Sequence, residues 1–243
     1  MTFSTTRRNT LVMGAALAAQ PLRFAHANTP LKIGVLVPLT GAHASDGARI
    51  LKAHKLAAKQ INDGGGIKEL GGAKVELVIA DIQSKPEVSR SEAERLISSL
   101  GVSALVGAWA SATTIPAAQV ADRNRTPFIV TAAVNDALTE QGMQFVFRIA
   151  PKAKWYGDYV ADFVDYLRTQ GKPVSKIALC TEDGPAGQSV HTNYASVLPK
   201  RGMQIVADET FRTGSPDFST IVSKMKASGA EALMTVAYAD DSA

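Results

Sequence analysis

The sequence predicts an α/β protein made of two doubly wound lobes, of which the second is incomplete. Short, nearly continuous apolar runs alternate with helical patterns along most of the chain, which is typical of parallel sheets covered by helices on both faces. The alternation restarts at Lys176, and this predicts a second sheet. It stops after an apolar run at 232–236, so we expect about three strands in the second sheet against four or five in the first.

The first round of alternation begins with the run KIGVLVP at 32–38, which predicts a central strand buried on both faces. Apolar residues at helical spacing follow, and they end at Asn62, Asp63 and three glycines, a strong helix stop. Ser84 and Glu87 have the spacing of a capping box at the start of the next helix. The elements predicted for this round are a strand at 32–38, a helix at 47–61, a strand at 74–81, a helix at 87–100, a strand at 104–107, a helix at 114–123 and a strand at 128–130.

The second round follows one more short strand, predicted from the run FVFRIA at 145–150. We place the boundary of the lobes here, with a first lobe at 28–150 and a partial second lobe at 151–243. The buried strand predicted just before residue 243 indicates a truncated reading frame or a partial domain. The elements predicted for this round are a helix at 152–169, a strand from Lys176, a helix at 188–200, a strand at 203–210, a helix at 218–227 and a strand at 232–236.

Residues 1–27 have the order of a removable export signal. Arg7 and Arg8 precede an uncharged run at 11–19, and the triplet Ala-His-Ala at 25–27 has the form of an A-x-A cleavage site. The arginine pair and the alanine-rich run favour the twin-arginine route. The alternative is an amphipathic N-terminal helix that stays attached. The run is shorter than the about 20 residues that span a bilayer, which argues against this alternative. The sequence therefore predicts a periplasmic protein.

Charge and cysteine usage exclude further classes of protein. Removing the signal removes Arg7, Arg8 and Arg23 and no acidic residue, so the formal charge falls from +4 to +1. A near-neutral mature chain argues against a nucleic-acid partner, which requires a basic patch. Cys180 is the only cysteine, so no intramolecular disulfide can form. No apolar run after the signal is long enough to cross a membrane, which predicts a soluble or peripherally held product.

The patterns of enzymes, metal sites and cofactor sites are missing from the sequence. The histidines at 26, 43, 54 and 191 do not have metal-ligand spacing. No G-x-S-x-G nucleophile elbow is present. The glycines at 64–66 and 71–72 follow a helix and precede a strand, which is the reverse of a dinucleotide fingerprint. We therefore expect no catalysis, no metal and no cofactor.

The candidate site consists of the polar loops at the carboxyl ends of the strands, because ligands bind there in open α/β sheets. These loops are 39–47, 107–114 and 131–135. Backbone N–H groups at the start of a helix, with serine or threonine hydroxyls beside them, can hold a carboxylate. The alternative is that the hydroxyls at 111–114 only cap the following helix.

Several segments, in their order and spacing, resemble the leucine-binding family of periplasmic solute-binding proteins of ABC importers. They are KIGVLVPLTG, INDGGGI, VGAWASATTIPAA, PFIVTAAVNDALT, FRIAP and the D-F-S at 217–219. The resemblance covers nearly all of the mature chain. It implies the type I fold, in which two Rossmann-like lobes joined by a hinge close on a ligand. It also implies a monomeric binding protein that passes an amino acid or related small carboxylate to a permease in the inner membrane. The alternative is a ligand-sensing receptor ectodomain of the same fold.

The resemblance also implies ligand contacts in the first lobe. Ser111 matches the serine that holds the ligand carboxylate through its hydroxyl and backbone N–H. Ala132 and Ala133 match the loop whose backbone groups meet the amino-acid head. Val134 stands where amino-acid binders of the family usually have a threonine, and this departure weakens the interpretation as an α-amino-acid binder.

Three further residues complete the predicted site. Tyr238 matches a second-lobe tyrosine that covers the ligand. Asp46 stands where an aromatic residue is common, and it would either pair with a ligand ammonium or cap the following helix. Trp109 lies in a predicted cleft loop and would supply an aromatic wall, the alternative being ordinary packing between the lobes.

Overall fold

The computed structural model describes residues 29–241, so the twin-arginine signal predicted at 1–27 lies outside the described residues. Strands and helices alternate through this range. The strands are β1 (Leu31–Val37), β2 (Val75–Asp81), β3 (Ala104–Gly107), β4 (Phe128–Val130), β5 (Val146–Arg148), β6 (Lys176–Glu182), β7 (Gln204–Phe211) and β8 (Ala232–Val236). The helices are α1 (Ala44–Asp63), α2 (Pro86–Ser98), α3 (Ser111–Arg123), α4 (Ala137–Glu140), α5 (Lys154–Thr169), α6 (Pro185–Val197) and α7 (Ser219–Ala227).

The strands form two parallel sheets with the same starting topology. The first sheet has the order β2-β1-β3-β4-β5, and the second has the order β7-β6-β8. In each sheet the first strand is central, the second lies on one side of it and the third lies on the other. We call residues 31–148 the first lobe and residues 154–241 the second lobe. The predicted α/β class with two doubly wound lobes, the second one partial, is confirmed.

Each lobe has its own hydrophobic core. In the first lobe, Leu36 of the central strand packs with side chains of α2 and α3, such as Leu96 and Val120. In the second lobe, Ile177 and Leu179 of β6 pack against α5 and α6. The end of β1 is buried on both faces, as its continuous apolar run predicts. None of the helices in residues 29–241 has the length and apolar character that a bilayer span requires.

A glycine brings a helix very close to the central strand in each lobe. A Cβ atom on Gly47 of α1 would lie 1.8 Å from the Pro38 carbonyl oxygen, and one on Gly187 of α6 would lie 1.8 Å from the Glu182 carbonyl oxygen. Only glycine fits such a close approach. These two contacts fix the starts of both helices at the carboxyl ends of the central strands, where the loops of the candidate site lie.

The predicted capping box at Ser84 and Glu87 is wrong. Helix α2 begins at Pro86, and no side chain caps it. The Ser84 hydroxyl instead donates to the Thr40 carbonyl oxygen at 2.8 Å and accepts from the His43 N–H at 3.1 Å. Ser84 therefore joins the loop after β2 to the loop after β1, and it helps to shape the edge of the candidate site.

Candidate functional site

A cavity of about 260 Å³ lies between the two lobes, at the carboxyl ends of the strands. Every residue predicted for the ligand site lines it except Asp46. The loops after β3 and β4 form the first-lobe wall, while α5, α6 and the end of β8 form the opposite wall. The lining residues are Trp109, Ser111, Ala132, Ala133, Val134, Tyr156, Ala186, Val190, Thr235, Val236, Ala237 and Tyr238.

Ser111 connects the loops of the cavity. It is the first residue of α3 and is 1% exposed. Its hydroxyl accepts from the Asn135 N–H at 3.2 Å, so the hydroxyl proton can still be donated. Its backbone N–H donates to the Tyr238 hydroxyl of the second lobe. Ser111 thus presents an O–H and a helix N-terminus to the space between the lobes.

The hydroxyls at 111–114 do not cap α3, so the capping alternative is wrong. The residue at the N-cap position is Ala110, whose methyl side chain cannot accept a hydrogen bond. The Thr113 hydroxyl donates to the Ala108 carbonyl oxygen at 2.7 Å, and the Thr114 hydroxyl donates to the Ala110 carbonyl oxygen at 2.8 Å. These bonds hold the loop against the start of the helix, where the Thr113 and Thr114 N–H groups also donate to the Ala110 carbonyl oxygen.

The loop at Ala132–Val134 is fixed by Arg148 of β5. The guanidinium donates to the carbonyl oxygens of Val134 at 2.8 Å and Asn135 at 2.7 Å. The Val134 carbonyl also accepts from the Ala153 N–H at 2.9 Å. Burial lowers the pKa of Arg148, although the charges of Asp136 and Glu140 oppose this effect. Arg148 was not predicted as a site residue, and its one signal in the sequence is a charged residue inside the apolar run FVFRIA.

Tyr238 closes the cavity from the second lobe. Its ring centroid lies 4.3 Å from that of His43 in the first lobe, at an interplanar angle of 51°. Burial raises the pKa of the Tyr238 hydroxyl, and the negative charges of Glu182, Asp241 and Asp46 raise it further. The phenol is therefore neutral at ordinary pH. His43 was not predicted as a neighbour, because its contact depends on how the two lobes meet.

Asp46 does not reach the cavity. Helix α1 begins at Ala44, three residues earlier than predicted, and His43 takes the cap position. Asp46 therefore lies inside the first turn, where it is 5% exposed and forms an ion pair with Arg49. The prediction that Asp46 caps the helix is wrong.

Trp109 lies beside Ser111 with a left-handed backbone conformation, φ 72°. Its indole Nε1 is buried and has no hydrogen-bond partner among the described residues. A buried N–H group that remains unpaired is costly. Trp109 therefore contributes an aromatic surface to the cavity wall, while its indole N–H is buried within that wall.

Metal-binding geometry is missing from the described part of the chain. Among residues 29–241, no three side chains of His, Cys, Asp or Glu form a group that could hold a metal ion.

Residues 30–243 match the family model described as periplasmic binding protein. The chain belongs to this family. Its relatives include the Leu/Ile/Val-binding protein homolog 8 of Brucella suis, which is 31% identical over 97% of this chain and 59% of its own length. The amino acid binding protein of Pseudomonas aeruginosa is 33% identical over 85% of this chain and 53% of its own length. The chain thus spans little more than half the length of these relatives.

Two solved structures resemble this chain over most of its length. One is the branched-chain amino acid transporter substrate binding protein of Streptococcus pneumoniae in complex with isoleucine. Its TM-score is 0.78 and its identity 27%, over 88% of this chain and 58% of that one. The other is the solute binding protein of an ABC transporter from Rhodopseudomonas palustris in complex with 3,4-dihydroxybenzoic acid. Its TM-score is 0.75 and its identity 25%, over 86% of this chain and 54% of that one. The predicted family and type I fold are confirmed, and this is a family of binding proteins rather than enzymes.

Proposed function

We propose that this protein is the extracytoplasmic solute-binding component of an ABC importer, and that it binds an amino acid or related small carboxylate between its lobes. The observation that carries the proposal is the position of Ser111. Ser111 is the first residue of α3, and it lines a cavity enclosed by both lobes. A carboxylate is stabilised at such a site by hydrogen bonds and by the helix dipole.

Ligand binding would couple the two lobes. The carboxylate would accept from Ser111, whose N–H donates to Tyr238 in the structure. Contacts from the second lobe would then favour the closed arrangement. The Asn135 side chain already donates to the Pro185 carbonyl oxygen across the lobes at 2.7 Å. A permease in the inner membrane would recognise the closed form.

The remaining parts of the proposal concern location and organisation. The signal at 1–27 would direct export to the periplasm by the twin-arginine route, the lobes would divide at residue 150, and the protein would act as a monomer. The division is supported by the end of β5 at Arg148 and by the packing of α5 on the second core. The receptor alternative is not favoured, because the two solved structures described above are binding proteins of transporters.

Calorimetric titration of the full chain tests this proposal. The panel is L-leucine, L-isoleucine, L-phenylalanine, benzoate and 4-hydroxybenzoate. We expect at least one to bind, and Ser111→Ala to weaken that binding by about 10-fold or more, because hydrogen bonds to a charged group are strong. Ser91→Ala, on the exposed face of α2, is the matched control and should leave the affinity unchanged. No binding by any member of the panel would reject the function, while unchanged affinity in Ser111→Ala would reject only the site.

A further inference from the structure

Asn135 ends the loop after β4, and each of its four hydrogen-bonding groups has a partner. Its N–H donates to the Ser111 hydroxyl at 3.2 Å, and its carbonyl oxygen accepts from Arg148 at 2.7 Å. The side-chain oxygen accepts from the Ala137 N–H at 2.9 Å, and the side-chain NH₂ donates to the Pro185 carbonyl oxygen at 2.7 Å. Three partners belong to the first lobe and one to the second. The first lobe therefore holds Asn135 in place and presents its amide donor to the second lobe.

The acceptor in the second lobe belongs to a helix that is fixed to its own sheet. Pro185 is the first residue of α6. The Gly187 N–H of the same helix donates to the Glu182 carboxylate of β6 at 2.6 Å. Two further residues of α6, Ala186 and Val190, line the cavity. The amide–carbonyl bond therefore sets the distance between this wall of the cavity and the loop after β4.

The neighbouring contact from the same loop to α6 is longer. The Asp136 carboxylate accepts from the Ser189 hydroxyl at 3.4 Å, which is beyond the usual range for an O–H···O bond. Asn135 is not among the residues that line the cavity, so its bond to Pro185 can persist while a ligand occupies the space. The Asn135 amide is thus the stronger of these two contacts and does not compete with the ligand.

We propose that Asn135 is a positioning residue that couples Ser111 to the closure of the lobes. Its backbone N–H occupies a lone pair of the Ser111 oxygen, which leaves the hydroxyl proton to donate to the ligand carboxylate. Its side-chain amide reaches Pro185 only when the lobes are together, so this bond stabilises the closed arrangement. The inference rests on the proposed function and adds to it a residue that acts without touching the ligand.

The Asn135→Asp variant tests the amide donor. It keeps the shape of the side chain and an acceptor for the Ala137 N–H, but it places an oxygen against the Pro185 carbonyl. The probe is whichever of L-leucine, L-isoleucine, L-phenylalanine, benzoate and 4-hydroxybenzoate binds the wild-type chain most tightly. We expect about 10-fold weaker binding or more, because two facing acceptors cannot pair. The loss should lie in a faster release of the probe, since closure follows binding.

Calorimetry gives the affinity, and stopped-flow measurement of the tryptophan fluorescence gives the two rates. Asn193→Asp is the matched control. The Asn193 side chain also donates to a backbone carbonyl oxygen at 2.7 Å, but its partner is Ser189 within the same helix. This control should leave the affinity and the release rate unchanged. A thermal melt of each variant shows that it remains folded.

The Asn135→Ala variant separates the donor from packing. It removes the donor without adding an opposing oxygen, so we expect about 3-fold weaker binding, a smaller loss than in Asn135→Asp. A larger loss in Asn135→Ala than in Asn135→Asp would mean that the side chain only fills space, and it would overturn the inference. Unchanged affinity in Asn135→Asp, a loss confined to the association rate, or an equal loss in Asn193→Asp would also overturn it and leave the proposed function intact. No binding of any probe by the wild type would instead reject the proposed function, and the inference with it.

Discussion

The two lobes begin with the same three-strand arrangement but bury its third strand differently. Ala104 and Leu105 of β3 pair with β1, and Ala232 and Leu233 of β8 pair with β6 in the same register. Leu105 is fully buried, yet Leu233 is 54% exposed. In the first sheet β4 lies beyond β3, whereas β8 is at the edge of the second sheet. The burial of the same Ala-Leu pair therefore depends on the strands and helices around it, and not on its own sequence.

The largest expected effect on stability comes from replacing Leu105, and its counterpart Leu233, by alanine. Leu105→Ala should lower the free energy of unfolding by about 2–5 kcal/mol, because it leaves a cavity in a packed core. Leu233→Ala should lower it by less than about 0.5 kcal/mol, because the side chain is largely in solvent. Urea-induced unfolding followed by circular dichroism measures both values. A similar loss for the two variants would mean that the β8 face is covered in solution.

The same contrast shows what the sequence could predict. Alternating apolar runs predicted the α/β class, the order of elements and the partial second sheet, because run length and periodicity are local properties. The apolar run of β8 predicted a buried strand, and this was wrong for Leu233, since burial depends on a neighbouring strand that no local pattern reveals.

The candidate site likewise contains residues that the sequence could predict and residues that it could not. Trp109, Ser111 and the loop at 132–134 could be found because they follow strands whose carboxyl ends must meet. Ala186 and Val190 of α6 were missed as lining residues, because their positions depend on contacts between the lobes. Asp46 was misplaced because α1 begins one turn earlier than its apolar spacing indicates.

A second prediction tests a feature that the two lobes share, the close approach of a helix glycine to the end of a strand. Gly47→Ala and Gly187→Ala should each lower the free energy of unfolding by about 3 kcal/mol, because the new methyl group would collide with a backbone carbonyl group at the end of β1 or β6. Gly64→Ala is the control. Gly64 has φ −72°, and its added Cβ atom would lie 3.2 Å from the nearest atom, so we expect less than about 0.5 kcal/mol.

Denaturant melts of the three variants decide the comparison. Equal losses for Gly47→Ala and Gly187→Ala would support equivalent helix packing in the two lobes. Tolerance of alanine at Gly187 alone would show that α6 can shift and that the second lobe is the less rigid one.

The smallest expected effect concerns the segment that joins the lobes. Glu140 of α4 accepts from the Lys152 side chain at 2.8 Å and pairs with Lys154 at the start of α5. Hydrogen bonds from Lys152 and then Lys154 lower the pKa of Glu140 to about 2. Because this folded-state pKa lies below the ordinary value of 4.5, the stabilisation is fully present above pH 4.5 and is lost as the pH falls through about 2.

Glu140→Gln should therefore lower the Tm slightly at pH 7, since the ion pairs are partly exposed and screened by solvent. The difference from the wild type should shrink below pH 4.5 and disappear near pH 2. Glu69→Gln, on an exposed turn of the first lobe, is the control. A Tm difference that stays constant from pH 7 to pH 2 would mean that the Glu140 carboxylate does not stabilise the junction through its charge. The lobes would then be held together there by the backbone and by contacts such as that of Asn135 with Pro185.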